Sequence, residues 1–213
     1  MTGTFITFEG GEGAGKSTHI RLVADHLKSK GHAVVVTREP GGTEQGEGVR
    51  ALLVTGDVRR WTPMAEALLN YAARDAHLNT VIRPALAAGK IVLCDRFMDS
   101  TRAYQGYAGG LDLAFIDELE RRVVGRTVPR LTLIFDLDPV DGLRRARQRG
   151  EGAPAAAEDR FEHKELVFHQ RLRDGFRAIA EADPGRCRVV DATRSLAVVG
   201  ADVLGHVMDA VDG

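Results

Sequence analysis

The stretch of the sequence that points most directly to chemistry is EGGEGAGKST, residues 9–18. It follows the apolar run TFITF and opens a segment with helical periodicity. Its residues fit the pattern G-x-x-x-x-G-K-[ST] with Gly10, Gly15, Lys16 and Ser17. Glycines let the backbone curl so that successive N–H groups point at an anion, and the following helix adds its positive end. The pattern predicts a phosphate-binding P-loop for a nucleoside triphosphate rather than a chance glycine turn.

Each polar position of this loop has an expected part. Lys16 is predicted to reach the β- and γ-phosphates of the nucleoside triphosphate, and Ser17 to hold Mg²⁺. Asp95, at the end of a predicted strand, is the second predicted ligand of the metal, directly or through water. The predicted triphosphate-binding positions of the loop are Gly10, Gly11, Glu12, Gly13, Ala14, Gly15, Lys16, Ser17 and Thr18.

The loop belongs to a regular alternation of strands and helices. Short, continuously apolar runs predict buried strands at 4–8, 33–37, 90–95, 131–137 and 186–191. Helical periodicity marks 15–30, 63–88, 112–125, 139–149, a long segment ending near Ala182, and 196–210, while 39–48 is predicted to be a polar loop. This order predicts an α/β protein of the P-loop NTPase fold, with a five-stranded parallel sheet covered by helices on both faces.

The segment RGEGAPAAAED, 149–159, is rich in small residues. Because helical patterns flank it directly, we interpret it as a small arginine-bearing lid over about 149–160 rather than as a domain boundary. The chain 1–213 is therefore predicted to be a single domain.

Composition narrows the classes of partner. The sequence has 29 basic and 30 acidic residues, so there is no overall positive field to attract nucleic acid. Cys94 and Cys187 are predicted to be reduced thiols. Since there is neither an apolar run of transmembrane length nor a signal-peptide pattern, we expect a cytoplasmic protein without a membrane partner.

Other positions distinguish among the P-loop proteins. A GTPase should carry an N-K-x-D motif, which the sequence lacks, and the third predicted strand ends instead in CDRF. Arg96 beside Asp95 suits a site that clamps a second phosphate, because arginine binds phosphate oxygens through paired hydrogen bonds. Arg38, Arg74 and Arg160 also lie near predicted strand ends or the lid. For any one of them a solvated surface role is the simpler interpretation, but the group indicates convergence on phosphates.

With these motifs together, the chain resembles the bacterial thymidylate kinases. The matching stretches run from residue 5 to 195 and are FEGGEGAGKST, TREPGGT, YAARDAH, CDRFMDSTRAYQG, the lid and VDATRS. The resemblance implies phosphoryl transfer from ATP to dTMP, giving ADP and dTDP, with Mg²⁺ as cofactor and a homodimer as the assembly. No general base is expected, because the acceptor is already an anionic phosphate oxygen.

The resemblance also implies catalytic roles. Lys16, Asp95 and Arg96 match residues that act on the phosphates or the metal. Since the P-loop carries no arginine, the resemblance places the chain in the subgroup whose lid supplies one, and Arg160 is the predicted transition-state residue. Arg149 is a second candidate that fits a simple cation at a helix C-terminus equally well.

By the same resemblance, Glu12 accepts a hydrogen bond from the sugar 3′-hydroxyl of the acceptor. Tyr104 matches the residue that fills the space of a ribose 2′-hydroxyl, although a packing role also suits it. Thr193 lies in the DATRS stretch that resembles the adenine loop. The predicted substrate-binding residues are Glu12, Arg38, Asn70, Arg74, Arg96, Ser100, Thr101, Tyr104 and Gln105.

One position departs from the resemblance. Members of the family usually have an aromatic residue four positions before Arg74, to stack on thymine, and here that residue is Asn70. Tyr71 is adjacent but points about 100° away on a regular helix. Three explanations stay open: a local turn of the helix, a polar contact from Asn70, or compensation by Phe97 or Tyr104. The departure puts the strictness of base selection in question.

Two other functions stay open at this point. One is a kinase of another nucleotide, such as dUMP or dCMP. The other is a nucleotide-dependent switch or a pseudoenzyme that recruits a partner. A kinase should turn over little ATP until a monophosphate acceptor is added, whereas a switch needs no acceptor.

Overall fold

The computed structural model describes residues 3–150 and 160–213, and in this part of the chain five strands form one sheet in the order β2-β3-β1-β4-β5. All neighbouring strands are parallel, with Thr7 of β1 opposite both Cys94 of β3 and Thr132 of β4. The strands are β1 (Phe5–Gly10), β2 (Val34–Arg38), β3 (Ile91–Asp95), β4 (Leu131–Asp136) and β5 (Cys187–Asp191). The predicted five-stranded parallel sheet is confirmed.

Helices connect and follow the strands. They are α1 (Lys16–Ser29), α2 (Glu44–Val54), α3 (Pro63–His77), α4 (Arg83–Ala87), α5 (Met98–Thr101), α6 (Leu113–Val123), α7 (Pro139–Gly150), α8 (Leu166–Ala182) and α9 (Leu196–Asp212). Two π-helical segments, Leu78–Ile82 and Arg102–Ala108, continue α3 and α5. The single helix predicted over 63–88 is therefore three successive segments.

The polar loop predicted at 39–48 is shorter than expected. Helix α2 begins at Glu44, because the hydroxyl of Thr43 accepts a hydrogen bond from Gly46 N at 2.9 Å and caps the first turn.

The strands are mostly apolar because both faces of the sheet are covered. On one face Phe8 and Leu133 pack among residues of α1 and α9. On the other face Phe5 and Val92 pack against residues of α3 and α6, such as Tyr71. Successive residues of a strand point to opposite faces, so most positions of the inner strands β1, β3 and β4 meet an apolar layer, whereas the outer strands β2 and β5 are partly exposed. The predicted helices on both faces are confirmed.

This topology creates one crevice at the carboxyl ends of the strands. Strand β1 lies between β3 and β4, so the connections from β1 and its neighbours diverge around it, which is where open α/β sheets bind ligands. The last residues of four strands, Gly10, Arg38, Asp95 and Asp136, lie along this edge.

Two further sequence features have a structural counterpart. Cys94 and Cys187 are both free thiols and both buried. Within residues 3–150 and 160–213, no helix combines the length and the apolar character needed to cross a membrane.

Candidate active site

The P-loop connects β1 directly to α1. Gly13 and Gly15 have φ angles of 68° and 92°, in the left-handed region that favours glycine. A Cβ atom on Gly13 would lie 2.0 Å from the carbonyl oxygen of Gly142 in α7, so the loop packs backbone to backbone against that helix. The predicted strand–loop–helix context is thus present, and the positive N-terminal end of α1 adjoins the loop, which suits an anion.

Lys16 is held at the centre of the loop. Its Nζ donates hydrogen bonds to the carbonyl oxygens of Gly10, at 3.1 Å, and Gly11, at 2.9 Å. Burial, and then the nearby Arg96 guanidinium, lower the pKa of the Lys16 ammonium to about 8. The lysine therefore stays largely protonated at neutral pH and lies next to the loop that it is predicted to serve.

Ser17 and Asp95 meet at the mouth of the P-loop. The hydroxyl of Ser17 donates to Asp95 Oδ2 at 2.7 Å across the gap between α1 and β3. These are hard oxygen donors, the type that Mg²⁺ prefers, and they adjoin the phosphate loop. Among the described residues no group of three or more His, Cys, Asp and Glu side chains could hold a metal by itself. The chemistry of this pair fits residues that would hold a magnesium ion beside the phosphate loop.

Arg96 links the P-loop to the helices that follow β3. It has a φ of 67°, in the left-handed region that non-glycine residues seldom adopt. Its Nη1 donates to Gly10 O at 2.9 Å and to Ser100 Oγ at 3.2 Å, and its Nη2 donates to Glu12 Oε1 at 2.9 Å. Its Cζ lies 5.0 Å from the centre of the Tyr104 ring. The Arg96 guanidinium thus contacts both the P-loop and the side chains of Ser100 and Tyr104.

Glu12 carries a firmly held negative charge. Burial by itself raises its pKa, but the Arg96 guanidinium, the Lys16 ammonium and the Tyr104 hydroxyl together lower it to about 2. Tyr104 donates to Glu12 Oε1 at 2.6 Å. The acid in the phosphate loop is therefore neutralised by its own neighbours, and it can accept a hydrogen bond from a ligand hydroxyl.

Glu9 is a site residue that the sequence analysis missed. Its fully buried carboxylate accepts hydrogen bonds from Phe97 N at 2.7 Å and from Ser100 Oγ at 2.5 Å. These bonds hold the chain immediately after Arg96, so they stabilise the unusual turn that aims the guanidinium. Burial and then the charge of Asp99 raise the pKa of Glu9 to about 7. Its signal in the sequence is an acid at the end of an otherwise apolar strand.

A deep cleft beside the P-loop collects most of the predicted substrate residues, and we call it the Arg74 cleft. The predicted residues that line it are Glu12, Asn70, Arg74, Arg96, Ser100, Thr101, Tyr104 and Gln105. Phe97, considered from the sequence as a compensating contact to the base, also lines it, as do Glu39, Arg50 and Phe161, which were not predicted as binding residues. The cleft opens toward the P-loop, because Glu12 and Arg96 line both.

Arg74 lies at the base of this cleft, with 1% of its surface exposed. Its Nε donates to Glu39 Oε2 at 2.7 Å, and its Nη2 donates to Phe97 O and Thr101 Oγ1. His77 supports the same carboxylate, with Nδ1 2.9 Å from Glu39 Oε1. Within the described residues, Nη1 of Arg74 is buried without a hydrogen-bond partner. A buried donor in this state is costly, so it is suited to an acceptor atom of a ligand.

Two cations flank the P-loop mouth from the β2 side. Arg38, predicted as a substrate residue, forms an ion pair with Glu47 at 2.9 Å. It lines the cleft at the P-loop mouth, which Lys16 and Ser17 also line and which we call the P-loop cleft, but it does not line the Arg74 cleft. Arg50, which the sequence analysis did not propose, lines both clefts and donates to Pro40 O at 3.0 Å. The only pattern that marks Arg50 is its place on α2, the helix that follows TREPGGT.

Arg160 is not where the sequence analysis expected it. Its side chain is fully buried, and its donors bind the carbonyl oxygens of Leu53, Asp57 and Val58 and the carboxylate of Glu66. All of these partners belong to α2, α3 and the loop between them. In this structure three carbonyl oxygens and a buried carboxylate satisfy the guanidinium away from the P-loop, and the transition-state role of Arg160 stays a prediction.

The rest of the lid prediction falls mostly outside the described residues. Residues 151–159 are not described, and Arg149 lies in the last turn of α7, which ends at Gly150. Thr193 is in the loop after β5, where its Oγ1 donates to Asp191 Oδ1 at 2.6 Å. That loop is two strands away from β1, at the same edge of the sheet.

The structure narrows the explanations for Asn70. Its Nδ2 donates to Glu66 O at 2.9 Å, and α3 runs without interruption through this position. Tyr71 is buried in the core, where Arg74 Cζ lies 4.6 Å from the centre of its ring. A local turn of the helix that brings Tyr71 into the cleft is therefore excluded.

Comparisons with known proteins agree on one family. A protein-family model described as thymidylate kinase matches residues 8–203. The chain is 56% identical over 201 residues to a thymidylate kinase from Caulobacter vibrioides (strain ATCC 19089 / CIP 103742 / CB 15), with 94% of each chain covered. It is 46% identical over 206 residues to a thymidylate kinase from Geotalea uraniireducens (strain Rf4), with 97% of each covered. A crystal structure of thymidylate kinase from Ehrlichia chaffeensis has a TM-score of 0.77 and 36% identity, covering 98% of this chain and 99% of that one.

Proposed function

The chain belongs to the thymidylate kinase family, which transfers a phosphoryl group from ATP to dTMP, and we propose how its own residues share that work. The observation that carries the assignment is the placement of Arg96. Its guanidinium contacts Gly10 of the P-loop and Ser100 of the Arg74 cleft. A cation at this junction lies where a donor phosphate and an acceptor phosphate have to approach each other.

On the donor side, the P-loop N–H groups and Lys16 bind the ATP phosphates. The hydrogen bonds that Lys16 now makes to Gly10 O and Gly11 O hold its ammonium within the loop. In the complex, phosphate oxygens replace those carbonyls as acceptors, since a charged acceptor forms the stronger hydrogen bond. Lys16 then follows the transferred group and neutralises its charge.

Ser17 and Asp95 are the proposed holders of Mg²⁺, on the basis of their adjacent oxygens beside the loop. A bound ion would supply positive charge that offsets the negative charge of the phosphates. Asp95→Asn should raise the concentration of free Mg²⁺ needed for a half-maximal rate, because it removes one negative charge from the proposed metal site. A titration of activity against free Mg²⁺ measures this, with Asp136→Asn as a comparison at the end of β4.

On the acceptor side, dTMP occupies the Arg74 cleft. The unpaired Nη1 of Arg74 donates to an acceptor atom of the nucleotide, and Glu12 accepts from the 3′-hydroxyl. Tyr104, held by Glu12 and Arg96, excludes a 2′-hydroxyl and so favours deoxyribose. The 5′-phosphate then points toward Arg96 and the P-loop mouth, with Arg38 and Arg50 beside it.

The transfer itself requires positioning and charge neutralisation. The attacking phosphate oxygen is already anionic, so no residue is assigned as a general base. Because Arg160 is engaged elsewhere, we assign the role of lid arginine to Arg149, the other candidate from the sequence. The same lid excludes water from the transferred group and so limits ATP hydrolysis.

We also propose that the chain 1–213 acts as one domain, in the cytoplasm, and as a homodimer. Leu52, Met64 and Leu68 of α2 and α3 are large apolar residues with 39–49% of their surface exposed. Covering them between two copies removes apolar surface from water. The mass of the particle in solution, with Leu68→Glu as the variant expected to be monomeric, tests the dimer.

The test of the acceptor is a panel of monophosphates. ADP formation is followed with Mg-ATP and dTMP, dUMP, ribo-TMP, dCMP, dGMP or AMP in turn. We expect strong turnover with dTMP, a weak second with dUMP, and little with ribo-TMP because of Tyr104. Equal use of several bases would contradict the proposed selectivity of the Arg74 cleft, and equal ADP formation without any acceptor would contradict the kinase roles.

A further inference from the structure

We propose that Phe161 is the residue on which the acceptor's base packs, and that Arg160 positions it. The inference deepens the proposed function, because it rests on dTMP binding in the Arg74 cleft. A planar base needs a flat apolar surface beside it, and stacking on an aromatic ring contributes about 1–3 kcal/mol per base in nucleic-acid binding. The question is which part of the cleft wall supplies that surface.

Asn70 does not supply it. The residue lines the cleft, but its side chain is a small amide whose Nδ2 is tied to Glu66 O in its own helix. The neighbouring Tyr71 is 3% exposed and packs in the core under the Arg74 guanidinium. The α3 side of the cleft therefore presents polar atoms to the base.

The rings of Phe97 and Tyr104 are already covered by other side chains. Phe97 is fully buried, with Phe5 against it at 5.0 Å between ring centres and the Arg74 Cζ 5.1 Å from its ring centre. Tyr104 is 7% exposed, its hydroxyl bonds Glu12, and the Arg96 guanidinium covers its ring. Little of either ring is left for a base, which removes the two aromatic alternatives considered from the sequence.

The Phe161 ring is more exposed than the rings of Phe97 and Tyr104. It lines the same cleft as Asn70 and is only partly buried. Its ring meets the Tyr104 ring edge to face, with 5.4 Å between centres and 86° between planes. The Arg160 Cζ lies 5.1 Å from the centre of the Phe161 ring. Among the aromatic residues that the structure describes in the cleft wall, Phe97 and Tyr104 are buried and Phe161 is half-buried, so Phe161 has more surface to lose to a ligand.

The segment that carries Phe161 is fixed by the residue before it. Arg160 N donates to Val54 O at 3.2 Å, and the Arg160 side chain binds Glu66 Oε1 at 2.6 Å in addition to three carbonyl oxygens. Glu66 Oε2 in turn accepts from Gln105 Nε2, another residue of the cleft, at 2.8 Å. One buried network therefore sets the position of the Phe161 ring relative to the opposite wall, and an ordered ring loses less entropy when a base stacks on it.

The test is the equilibrium dissociation constant and the KM for dTMP of Phe161→Ala and Phe161→Leu. Removal of the ring should raise both constants about 5- to 150-fold, the range equivalent to 1–3 kcal/mol, and leave the KM for ATP within about twofold. Phe161→Leu, which keeps an apolar contact without a ring, should fall between wild type and Phe161→Ala. Phe168→Ala is the matched control, since Phe168 also contacts the Tyr104 ring, at 6.2 Å, but does not line the cleft.

A double-mutant cycle with Asn70→Phe makes the test specific to stacking. The new ring on α3 should tighten dTMP binding strongly in the Phe161→Ala background and only weakly when Phe161 is present, because one ring then replaces the other. Unchanged dTMP constants in both Phe161 variants, or an equal loss in Phe168→Ala, would overturn the inference. Absence of dTMP-dependent ADP formation in the wild-type protein would instead overturn the proposed function.

Discussion

Arg160 and Glu66 form an ion pair of 2.6 Å between side chains that are 0% and 6% exposed. The pair joins the segment after residue 159 to the first turn of α3, and Gln105 binds the other oxygen of the same carboxylate. An arginine in this position has no freedom to reach a transferring phosphate without abandoning a buried charge. In our proposal the pair organises the acceptor side of the site instead of acting on the donor phosphates.

We expect Arg160→Met to lower the free energy of unfolding by about 3–5 kcal/mol, because it leaves the buried Glu66 carboxylate without its cation. The KM for dTMP should rise as Phe161 loses its anchor, while kcat at saturating dTMP changes little. Denaturant unfolding and steady-state kinetics measure the two effects. Arg59→Ala is the control, since that side chain is 92% exposed in the same α2–α3 loop.

A loss of turnover without a loss of stability in Arg160→Met would instead assign Arg160 a role in catalysis. That pattern is a fall of kcat of about 10³-fold with unchanged stability, the size expected for a lost phosphoryl-binding arginine.

Arg149→Ala should lower kcat about 10³-fold with a small change in the KM for dTMP, because the proposed lid arginine acts on charge that develops in the transition state. Single-turnover phosphoryl transfer measures the chemical step without product release. Arg147→Ala, in the same helix and exposed, is the matched control. Equal losses in the two variants would indicate a general effect of positive charge on α7.

The affinity for ATP should depend on the protonation of Lys16. Burial, and then Arg96, lower the pKa of this ammonium to about 8 in the free protein, and ATP binds the protonated form. Affinity is therefore complete below that pH and falls as the pH rises past it, by about tenfold at pH 9. Calorimetric titrations at fixed free Mg²⁺ between pH 7 and 9 check the slope.

Lys16→Arg is the control for the pH profile, because its guanidinium stays charged throughout this range. A wild-type protein whose ATP affinity is the same at pH 7 and pH 9 would refute the prediction.

Glu9→Gln should make the protein more stable than wild type at pH 8 and lose that advantage at pH 5. Burial and Asp99 raise the pKa of Glu9 from 4.5 to about 7, so folding disfavours its ionised form. The wild type therefore loses stability as the pH rises from about 4.5 to about 7, by roughly 3 kcal/mol, and the loss is constant above that range. Unfolding free energies of both proteins across pH 5–8 measure the difference.

Glu44→Gln, which removes an exposed carboxylate of α2, controls for net charge. A difference between Glu9→Gln and wild type that does not vary with pH would mean that Glu9 keeps one protonation state throughout.

Local patterns were sufficient for much of the architecture. The five strands were predicted because residues such as Phe8 and Leu133 meet apolar layers, which leaves uninterrupted apolar runs in the sequence. The P-loop was predicted because its glycines and Lys16 are contiguous, so a short window contains the whole signal. The split of the 63–88 helix was not predicted, because the π-helical segment Leu78–Ile82 keeps an apolar pattern close to that of an α-helix.

The sequence by itself determined the sheet, the phosphate loop and the family, since these depend on contiguous or ordered motifs. Only the tertiary structure decided what each arginine does. Arg160 and Arg96 look alike in sequence, each next to an aspartate and a phenylalanine. The Arg160 side chain binds three carbonyl oxygens and the Glu66 carboxylate. The Arg96 side chain binds Gly10 O of the P-loop, and Glu9 holds the backbone that follows Arg96. A long cation binds whichever acceptors the fold brings within reach, and those acceptors lie up to 107 residues away along the chain.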